Sequence, residues 1–324
     1  MTHLRGGKGE DSPVPPRVLL LVVGLIAALM LVGCGRDSGD DNGGSAGDLS
    51  GRITADGSST VGPFVTAAAE QFRGEQSGVQ VTVGISGTGG GFERFCRGET
   101  DLSDASRQIE DDERAACEKE GVDFVELQVA NDGIANVVNK ENDWVTCLTV
   151  AQLRKIWMPG SKVSSWSDLD PSFPDEKLTL AGPGTDSGTF DFFTAAITGE
   201  EGASRSDYNA SENDNVIVQG VSGDKGGLGY FGLSYAEQNK TKLKTLEVDG
   251  GDGCVAPSSE TVQSGDYQPL SRPLFVYVKT DELARPEVKA FLEFMLDNET
   301  EIAGSALFVP LTSDQLEKAR DVLA

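Results

Sequence analysis

The amino-acid sequence predicts an α/β protein of two domains. The chain has 324 residues, of which 38% are hydrophobic and 24% charged, and this is enough for two compact domains with cores of their own. From residue 51 onward, segments with strand-like and helix-like spacing of apolar residues alternate. No period of about 20 to 50 residues repeats, which argues against a solenoid. The alternation favours sheets connected by right-handed crossovers.

The first 50 residues differ from the rest. Residues 1–33 have a basic, polar start and an apolar run, and the sequence LVGC ends at Cys34. An apolar run of about 15 residues suits a secretory signal peptide better than a membrane span, which needs about 20, although a transmembrane anchor is the alternative. LVGC resembles a bacterial lipobox and predicts an extracytoplasmic protein anchored to the membrane by a lipid on Cys34. Residues 34–50 are rich in Gly, Ser and Asp and predict a flexible tether.

Charge and histidine content exclude several classes of function. The formal net charge of −25 makes nucleic acid and anionic membrane surfaces poor partners. The single histidine, His3, lies in the predicted signal peptide. The mature chain therefore has no imidazole for a Ser-His-Asp or Cys-His mechanism, and none to bind a metal. We expect no metal and no cofactor.

Four cysteines follow Cys34, and an even number in an exported protein predicts disulfides. Of the three pairings available, we predict Cys96 with Cys117, which would close a local loop, and Cys147 with Cys254, which would tie the second domain. A zinc site is the weaker alternative, because no C-x-x-C spacing occurs.

The first domain begins with three segments that share one pattern, a strand followed by a turn and a helix. Residues 51–55 predict a strand, DGSST a turn, and the apolar residues from 61 to 72 a helix whose first turn tolerates Pro63. Residues 79–85 predict a second strand, followed by the turn SGTGGG and a helix that starts with FERF. The run TDLSDASRQIEDDERAACEKEG predicts a short strand, a turn at 103–107 and a polar helix.

The rest of the chain continues the alternation. VDFVELQVANDGIANVVN predicts two strands in close succession, 149–157 a helix, and SKVSSWSDLDPSFPDE a polar loop. A third unit has a strand at 177–181, the turn GPGTDSGT and the helix FDFFTAAITGE. GGLGYFGLSYAEQN predicts a strand and a helix start, SRPLFVYVKT an apolar strand, and 284–324 mostly helix. The domain boundary is predicted where a strand near 127–138 leaves the first domain and one near 272–279 returns.

Three of the turns are suited to bind an anion. Each follows a strand and opens a helix, where backbone N–H groups lack internal partners and carry the positive end of the helix dipole. Ser58-Ser59-Thr60, Thr88-Gly89-Gly90 and Ser187-Gly188-Thr189 could each bind a tetrahedral oxyanion. Ordinary helix capping would explain one such turn. Three turns in one exported chain, with a further turn at Arg107, favour an anion site.

Four motifs, in order, carry a family resemblance: DGSSTVGP, SGTGGGFERFCRGETDLSDASR, GPGTDSGTFDFF and GGLGYFGLSYAEQN. They resemble those of the PstS-type phosphate-binding lipoproteins of ABC transporters, over residues 50–320. The resemblance implies a two-lobed periplasmic-binding-protein fold, each lobe a mixed sheet flanked by helices, with the ligand between the lobes. It also implies a monomeric, non-enzymatic receptor that delivers phosphate to a permease. Lobe 1 would comprise 51–130 and 275–324, and lobe 2 131–274.

Carried over position by position, the resemblance implies that phosphate is bound by Ser59, Thr60, Val61, Thr88, Gly89, Ser187, Gly188 and Thr189. The chain departs from the best-known form of the family in its charges. Arg107 stands where that form has an aspartate, and Pro183 and Gly184 stand where it has an arginine. We therefore predict that Arg107 supplies the guanidinium, a fork that matches two phosphate oxygens.

The departure leaves the proton acceptor open. Phosphate keeps a proton at neutral pH and sulfate does not, so a carboxylate that accepts this proton would reject sulfate. We predict Asp186 in this role, with Asp104 or Asp56 as alternatives. Asp186 could instead be an ordinary turn residue that caps its own helix.

Other functions stay open at this point. The same fold could bind another oxyanion, such as sulfate, molybdate or tungstate. Asp186-Ser187-Gly188-Thr189 matches the way an aspartic protease presents its carboxylate, but a hydrolase needs a second carboxylate and no second copy of the motif occurs. The sequence does not exclude a tethered sensor or adhesin.

Overall fold

The fold is built on a mixed β-sheet that extends through both halves of the molecule. A computed structural model describes residues 49–324, which lie in one compact unit. The predicted signal peptide, Cys34 and nearly all of the predicted tether lie outside the described residues. The division into two lobes at the predicted boundaries stays a prediction.

The strands of the described residues are β1 (Ser50–Gly57), β2 (Gly78–Ile85), β3 (Leu102–Ala105), β4 (Phe124–Asn139), β5 (Cys147–Thr149), β6 (Thr179–Gly182), β7 (Asn209–Ala210), β8 (Gly227–Gly232), β9 (Leu243–Thr245), β10 (Glu247–Asp249), β11 (Cys254–Val255) and β12 (Ser271–Lys279). The α-helices are α1 (Gly62–Glu75), α2 (Thr88–Cys96), α3 (Asp111–Glu120), α4 (Val150–Trp157), α5 (Trp166–Leu169), α6 (Gly188–Thr198), α7 (Asp214–Ser222), α8 (Leu233–Gln238), α9 (Ser259–Ser264), α10 (Pro286–Asp297), α11 (Glu299–Ser305) and α12 (Ser313–Leu323). A 3-10 helix covers Thr280–Ala284. Among residues 49–324, no helix combines the length and the apolar character needed to cross a bilayer.

The main sheet has the strand order β2-β1-β3-β12-β4-β8-β6-β7, with β9 beside β4. Strand β1 is parallel to β2 and β3, whereas β12 is antiparallel to both of its neighbours, β3 and β4. The carboxyl ends of β1, β2 and β3 therefore meet at one edge, where ligands bind in open α/β sheets. A small second sheet has the order β11-β10-β5.

Two large hydrophobic cores pack against the main sheet. The first includes Phe64 of α1 and Phe291 of α10, and the second includes Trp157 of α4 and Phe193 of α6. Strand β4 belongs to both, since Leu127, Val129 and Ala130 pack in the first core, and Ile134, Ala135, Val137 and Val138 pack in the second. One strand thus connects the two halves.

Most of the predicted elements are confirmed. The apolar positions with helical spacing are buried, namely Val61, Phe64, Val65, Ala68 and Phe72, and Pro63 lies in the first turn of α1. Helix α10 lies in the region predicted to be mostly helical, and it buries Phe291, Leu292, Phe294, Met295 and Leu296. Both predicted disulfides are present: Cys96–Cys117 joins α2 to α3, and Cys147–Cys254 joins β5 to β11.

The two strands predicted over residues 122–139 are wrong, because residues 124–139 form the single 16-residue strand β4. Asn131-Asp132-Gly133 has the composition of a turn, but it pairs with residues 271–273 of β12. The side chain of Asp132 pairs with Arg272, and that of Asn131 is also hydrogen-bonded, so tertiary partners override the local turn preference.

Two smaller differences concern helices. Helix α2 starts at Thr88, inside the predicted glycine turn, and α5 interrupts the predicted polar loop because Trp166 is buried. Gly91 explains the first difference. It lies in the first turn of α2 against the backbone of Gly57, so the glycine run serves close packing between α2 and β1 as well as a turn.

We expect Gly91→Ala to lower the free energy of unfolding by roughly 1–3 kcal/mol. A Cβ there would lie 2.6 Å from the Cα of Gly57 and 2.9 Å from the carbonyl oxygen of Asp56, so α2 would have to move away from β1. Gly74→Ala is the control, because a Cβ at this position of α1 meets no described atom within 4 Å. There alanine should stabilise the protein by up to about 1 kcal/mol. Urea unfolding measures both variants, and a loss of the same size in each would contradict the packing argument.

Candidate functional site

A cavity of about 470 Å³ lies at the edge where β1, β2 and β3 end. On the side of these strands it is lined by residues 58–60, 86–90 and 106–107, which are the loops that follow them. Facing them are three residues of α6, the residue Glu201 and the side chain of Arg272. Of the predicted site residues, the cavity brings together Ser59, Thr60, Thr88, Gly89 and Arg107.

The loop after β1 is organised by Ser58. This serine is buried, and its Oγ accepts the N–H groups of Thr60 at 3.1 Å and Val61 at 3.4 Å. The side chain of Val61 is buried in the first core and does not line the described cavity. The loop therefore presents the hydroxyls of Ser59 and Thr60, whereas the main-chain N–H of Val61, its predicted contribution, faces Ser58 Oγ.

The loops after β2 and β3 are tied to each other at the start of α2. The Oγ1 of Thr88 accepts the N–H of Ser106 at 3.2 Å and lies 3.1 Å from its Oγ. Gly89 and Gly90, in the first turn of α2, line the cavity. The first N–H groups of a helix have no intrahelical acceptor and carry partial positive charge, so this turn is suited to an anion.

Arg107 lines the cavity, but acids already bind its guanidinium. It donates two hydrogen bonds of 2.8 Å to Glu113 and lies 3.3 Å from Glu110. The bond to Glu113 raises the pKa of Arg107, while partial burial opposes this. Arg107 therefore sits at the cavity with much of its charge neutralised.

Arg272 is the guanidinium that the sequence analysis missed. It lies directly opposite Asp132 in the β12–β4 pair, 3.2 Å from the carboxylate. Its Nη2 donates to Thr60 Oγ1 at 2.8 Å and to the carbonyl oxygen of Gly188 at 3.5 Å, and its Cζ lies 3.8 Å from the ring centre of Phe192. Burial lowers the pKa of Arg272, and the charge of Asp132 opposes this. One side chain thus joins the loop after β1 to α6.

The third predicted turn meets the first at this arginine. Ser187 caps α6, since its Oγ accepts the N–H of Thr189 at 3.2 Å. Gly188 lies so close to Thr60 that a Cβ would be 2.5 Å from Oγ1. Within the described structure, Ser187 and Thr189 flank this contact and do not line the cavity itself.

The structure brings none of the three predicted proton acceptors into the cavity. Asp186 is exposed on the turn before α6, where its N–H faces Glu212 Oε1 at 3.4 Å, and the cap of α6 is Ser187 rather than Asp186. Asp56 is buried and bound to Ser86 and Arg94. Asp104 is fully buried, and burial, with a contribution from Asp56, raises its pKa well above the usual value. An exposed carboxyl such as that of Asp186 is also unlike the close pair of an aspartic protease.

Asp191, in the first turn of α6, is the carboxyl that the cavity does contain. Its Oδ2 faces the hydroxyl of Ser59 at 3.5 Å. Burial, and then the charge of Glu201, raise the pKa of Asp191, while Ser59 and Arg272 oppose the rise. A carboxyl that retains its proton more readily than usual therefore lies among the anion donors.

Comparison with known proteins identifies the family. Residues 42–299 match the model of a PBP superfamily domain. Protein SphX of Synechococcus elongatus is 47% identical over 262 residues, which cover 80% of this chain and 77% of that protein. The phosphate-binding protein PstS of Staphylococcus epidermidis is 39% identical over 305 residues, 92% of this chain and 91% of that protein. The chain belongs to the PstS family of the PBP superfamily.

Solved structures agree with the predicted fold. The crystal structure of a possible phosphate binding protein from Planctomyces limnophilus is 45% identical, with a TM-score of 0.81, and covers 85% of this chain and 98% of that one. The predicted family and the α/β periplasmic-binding-protein fold of this PstS-family protein are thereby confirmed.

Two residues of this PstS-family site carried signals that the sequence analysis did not use. Arg272 begins the apolar run RPLFVYVK at the predicted crossing between domains, where a charged residue has no obvious place in a core. Asp191 lies four residues after the cap Ser187, one helical turn into α6 and so near the helix start. Only the fold shows that these two side chains face the same cavity.

Removing the partner of Arg272 should destabilise this PstS-family protein. We expect Asp132→Asn to lower the free energy of unfolding by about 3 kcal/mol, because a buried guanidinium loses its counter-charge. Asp297→Asn is the control, since Asp297 pairs with Arg320 at an exposed site and should cost less than about 1 kcal/mol. Urea unfolding at neutral pH compares the two variants. If the two variants lost similar free energies of unfolding, the pair of Asp132 with Arg272 would contribute no more to stability than an exposed ion pair.

Proposed function

We propose that this protein is an extracytoplasmic receptor that binds inorganic phosphate and delivers it to the permease of an ABC transporter. The observation that carries the proposal is Arg272, which joins the loop after β1 to α6 inside a cavity lined by hydroxyls and a helix start. Relatives at 39% identity are named phosphate-binding proteins, which favours phosphate over sulfate, molybdate or tungstate. Secretion by residues 1–33, anchoring by a lipid on Cys34 and a monomeric state belong to the same proposal, and the first two rest on the LVGC sequence.

The proposed binding mode uses mainly neutral donors. Phosphate oxygens would accept from the first N–H groups of α2 at Thr88 and Gly89, and from the hydroxyls of Ser59 and Thr60. Gly188 would contribute through Arg272, whose Nη2 donates to its carbonyl oxygen, whereas Ser187 and Thr189, which do not line the described cavity, stay predicted ligands. Arg272 would supply the central positive charge, with Arg107 at the second loop. Neutral dipoles let a protein of net charge −25 hold an anion.

Selectivity against sulfate is assigned to Asp191 in place of Asp186. The carboxyl of Asp191 lines the cavity beside Ser59 and Arg272, whereas Asp186 is exposed. A phosphate that keeps its proton can donate to this carboxylate. Sulfate has no proton to offer and would place two unpaired negative groups face to face.

Calorimetric titration of the purified protein with phosphate, sulfate and molybdate tests the function. We expect saturable phosphate binding and little response to the other two anions.

Arg272→Gln should weaken phosphate binding roughly 10- to 150-fold, the scale of lost charge-assisted bonds. Arg107→Gln is the matched variant, and it should cost less because Glu113 and Glu110 already bind that guanidinium. Equal affinity for sulfate and phosphate in the unchanged protein would overturn the assignment, and a larger loss with Arg107→Gln would exchange the roles of the two arginines.

Asp191→Asn should relax selectivity, because an amide can donate to an unprotonated oxygen. The unchanged protein should also lose selectivity in acid. Burial raises the pKa of Asp191, so its carboxyl gains a proton as the pH falls through that raised value and then donates to sulfate. Sulfate competition measured from about pH 8 down to about pH 4 should therefore rise more in the unchanged protein than in Asp191→Asn, since the protonation of phosphate itself affects both proteins alike. Asp186→Asn is the control, and a loss of selectivity there alone would restore Asp186 as the acceptor.

A further inference from the structure

Three segments within residues 49–324 pass between the two hydrophobic cores. Strand β4 is the first, and the chain between Leu270 of the second core and Leu274 of the first core is another. The third leaves the first core after Phe308, places Val309 in the second core and returns to the first with Leu316. Val309 forms a β-bridge with Asn131 of β4, so the third segment is fastened to the first at the crossing point.

A polar cluster connects these segments. We call Asn131, Gln263, Pro310 and Gln315 the crossing cluster. The side-chain amides of Asn131 and Gln315 form a reciprocal pair, with N···O distances of 3.2 and 3.4 Å. The Nε2 of Gln315 also donates to the carbonyl oxygen of Gln263 at 3.3 Å. The carbonyl oxygen of Pro310 accepts from Asn131 at 3.2 Å and from Gln263 at 2.8 Å.

Two consecutive residues of β4 connect the crossing cluster to the cavity. Asn131 and Asp132 are consecutive in the strand, so their side chains point to opposite faces of the sheet. On one face, Asp132 holds Arg272, which bonds Thr60 and Gly188 at the cavity. On the other face, Asn131 belongs to the crossing cluster. A shift of β4 relative to its neighbours would alter both.

We propose that Gln315 is a positioning residue for phosphate binding. Through the crossing cluster it holds the three segments in the one arrangement in which Arg272 reaches both Thr60 and Gly188. A fully satisfied polar network has a single geometry, and breaking it populates arrangements in which the two sides of the cavity do not meet. Apparent affinity falls in proportion to the fraction of molecules in the competent arrangement. This inference rests on the proposed phosphate site, although Gln315 itself lies away from that cavity.

Gln315→Glu is the sharpest change that the chain offers. Gln315 is the third residue of α12, where its Oε1 accepts the N–H of Thr312 at 2.9 Å in a capping box, and glutamate keeps this bond. Glutamate cannot donate to Asn131 or to Gln263. Gln152→Glu is the matched control, because Gln152 occupies the same position in the capping box of α4 and its described side-chain bonds are to Thr149 alone.

Phosphate affinity, association rate and X-ray scattering of the ligand-free protein form the test. We expect Gln315→Glu to weaken phosphate binding about tenfold, chiefly through slower apparent association, and to enlarge the radius of gyration of the ligand-free protein. Gln152→Glu should change none of these quantities. Gln263→Met removes only the donor to Pro310, and it should act in the same direction even if Gln315→Glu fails to fold.

The outcomes separate the inference from the function on which it rests. If Gln315→Glu and Gln263→Met both match Gln152→Glu in affinity and in scattering, the inference is overturned. A protein that binds no phosphate even when unchanged would overturn the proposed function. In that case the scattering comparison still decides whether the crossing cluster controls the arrangement of the two halves.

Discussion

The ion pair between Arg272 and Asp132 is the interaction on which the cavity depends. Both residues lie within paired strands rather than in loops, so the sheet holds the guanidinium at a set position. Asp132, Thr60, Gly188 and the ring of Phe192 surround it, and these contacts offset the cost of removing the charge from water. Because the pair lies where the chain passes between its two cores, the contact that supplies the positive charge also aligns the two sides of the cavity.

Much of the fold follows from local pattern, and the exceptions have a common cause. Helices α1 and α10 and the strand–turn–helix units were predictable, because the spacing of apolar residues within a short segment indicates which face is buried. Strand β4 was not, because Asn131-Asp132-Gly133 reads as a turn until its partners are known. Those partners include Arg272 and Gln315, which lie roughly 140 and 180 residues later in the chain.

The candidate site divides in the same way. The loops that follow β1 and β2 were predictable because a helix start with Ser, Thr and Gly is recognisable from a few residues. The roles of the charged groups were harder to predict from the sequence, since they depend on which side chains face them in the fold. The sequence predicts Arg107 as the guanidinium that binds phosphate, but in the structure Glu113 binds it. The sequence predicts Asp186 as the acceptor of the phosphate proton, but its side chain is exposed. Arg272 and Asp191 come to the cavity only through the pairing of β12 with β4 and the packing of α6.

The disulfide between Cys96 and Cys117 joins two helices that follow loops at the cavity edge. Cys96 ends the helix whose first turn lines the cavity, and Cys117 lies in α3, which carries the Glu113 that holds Arg107. One covalent bond therefore fastens two of the loops at the cavity edge. A chain that is still in a reducing compartment lacks this bond. Formation of the bond in an oxidising compartment therefore also restricts how far α2 and α3, which follow the second and third loops, can move apart.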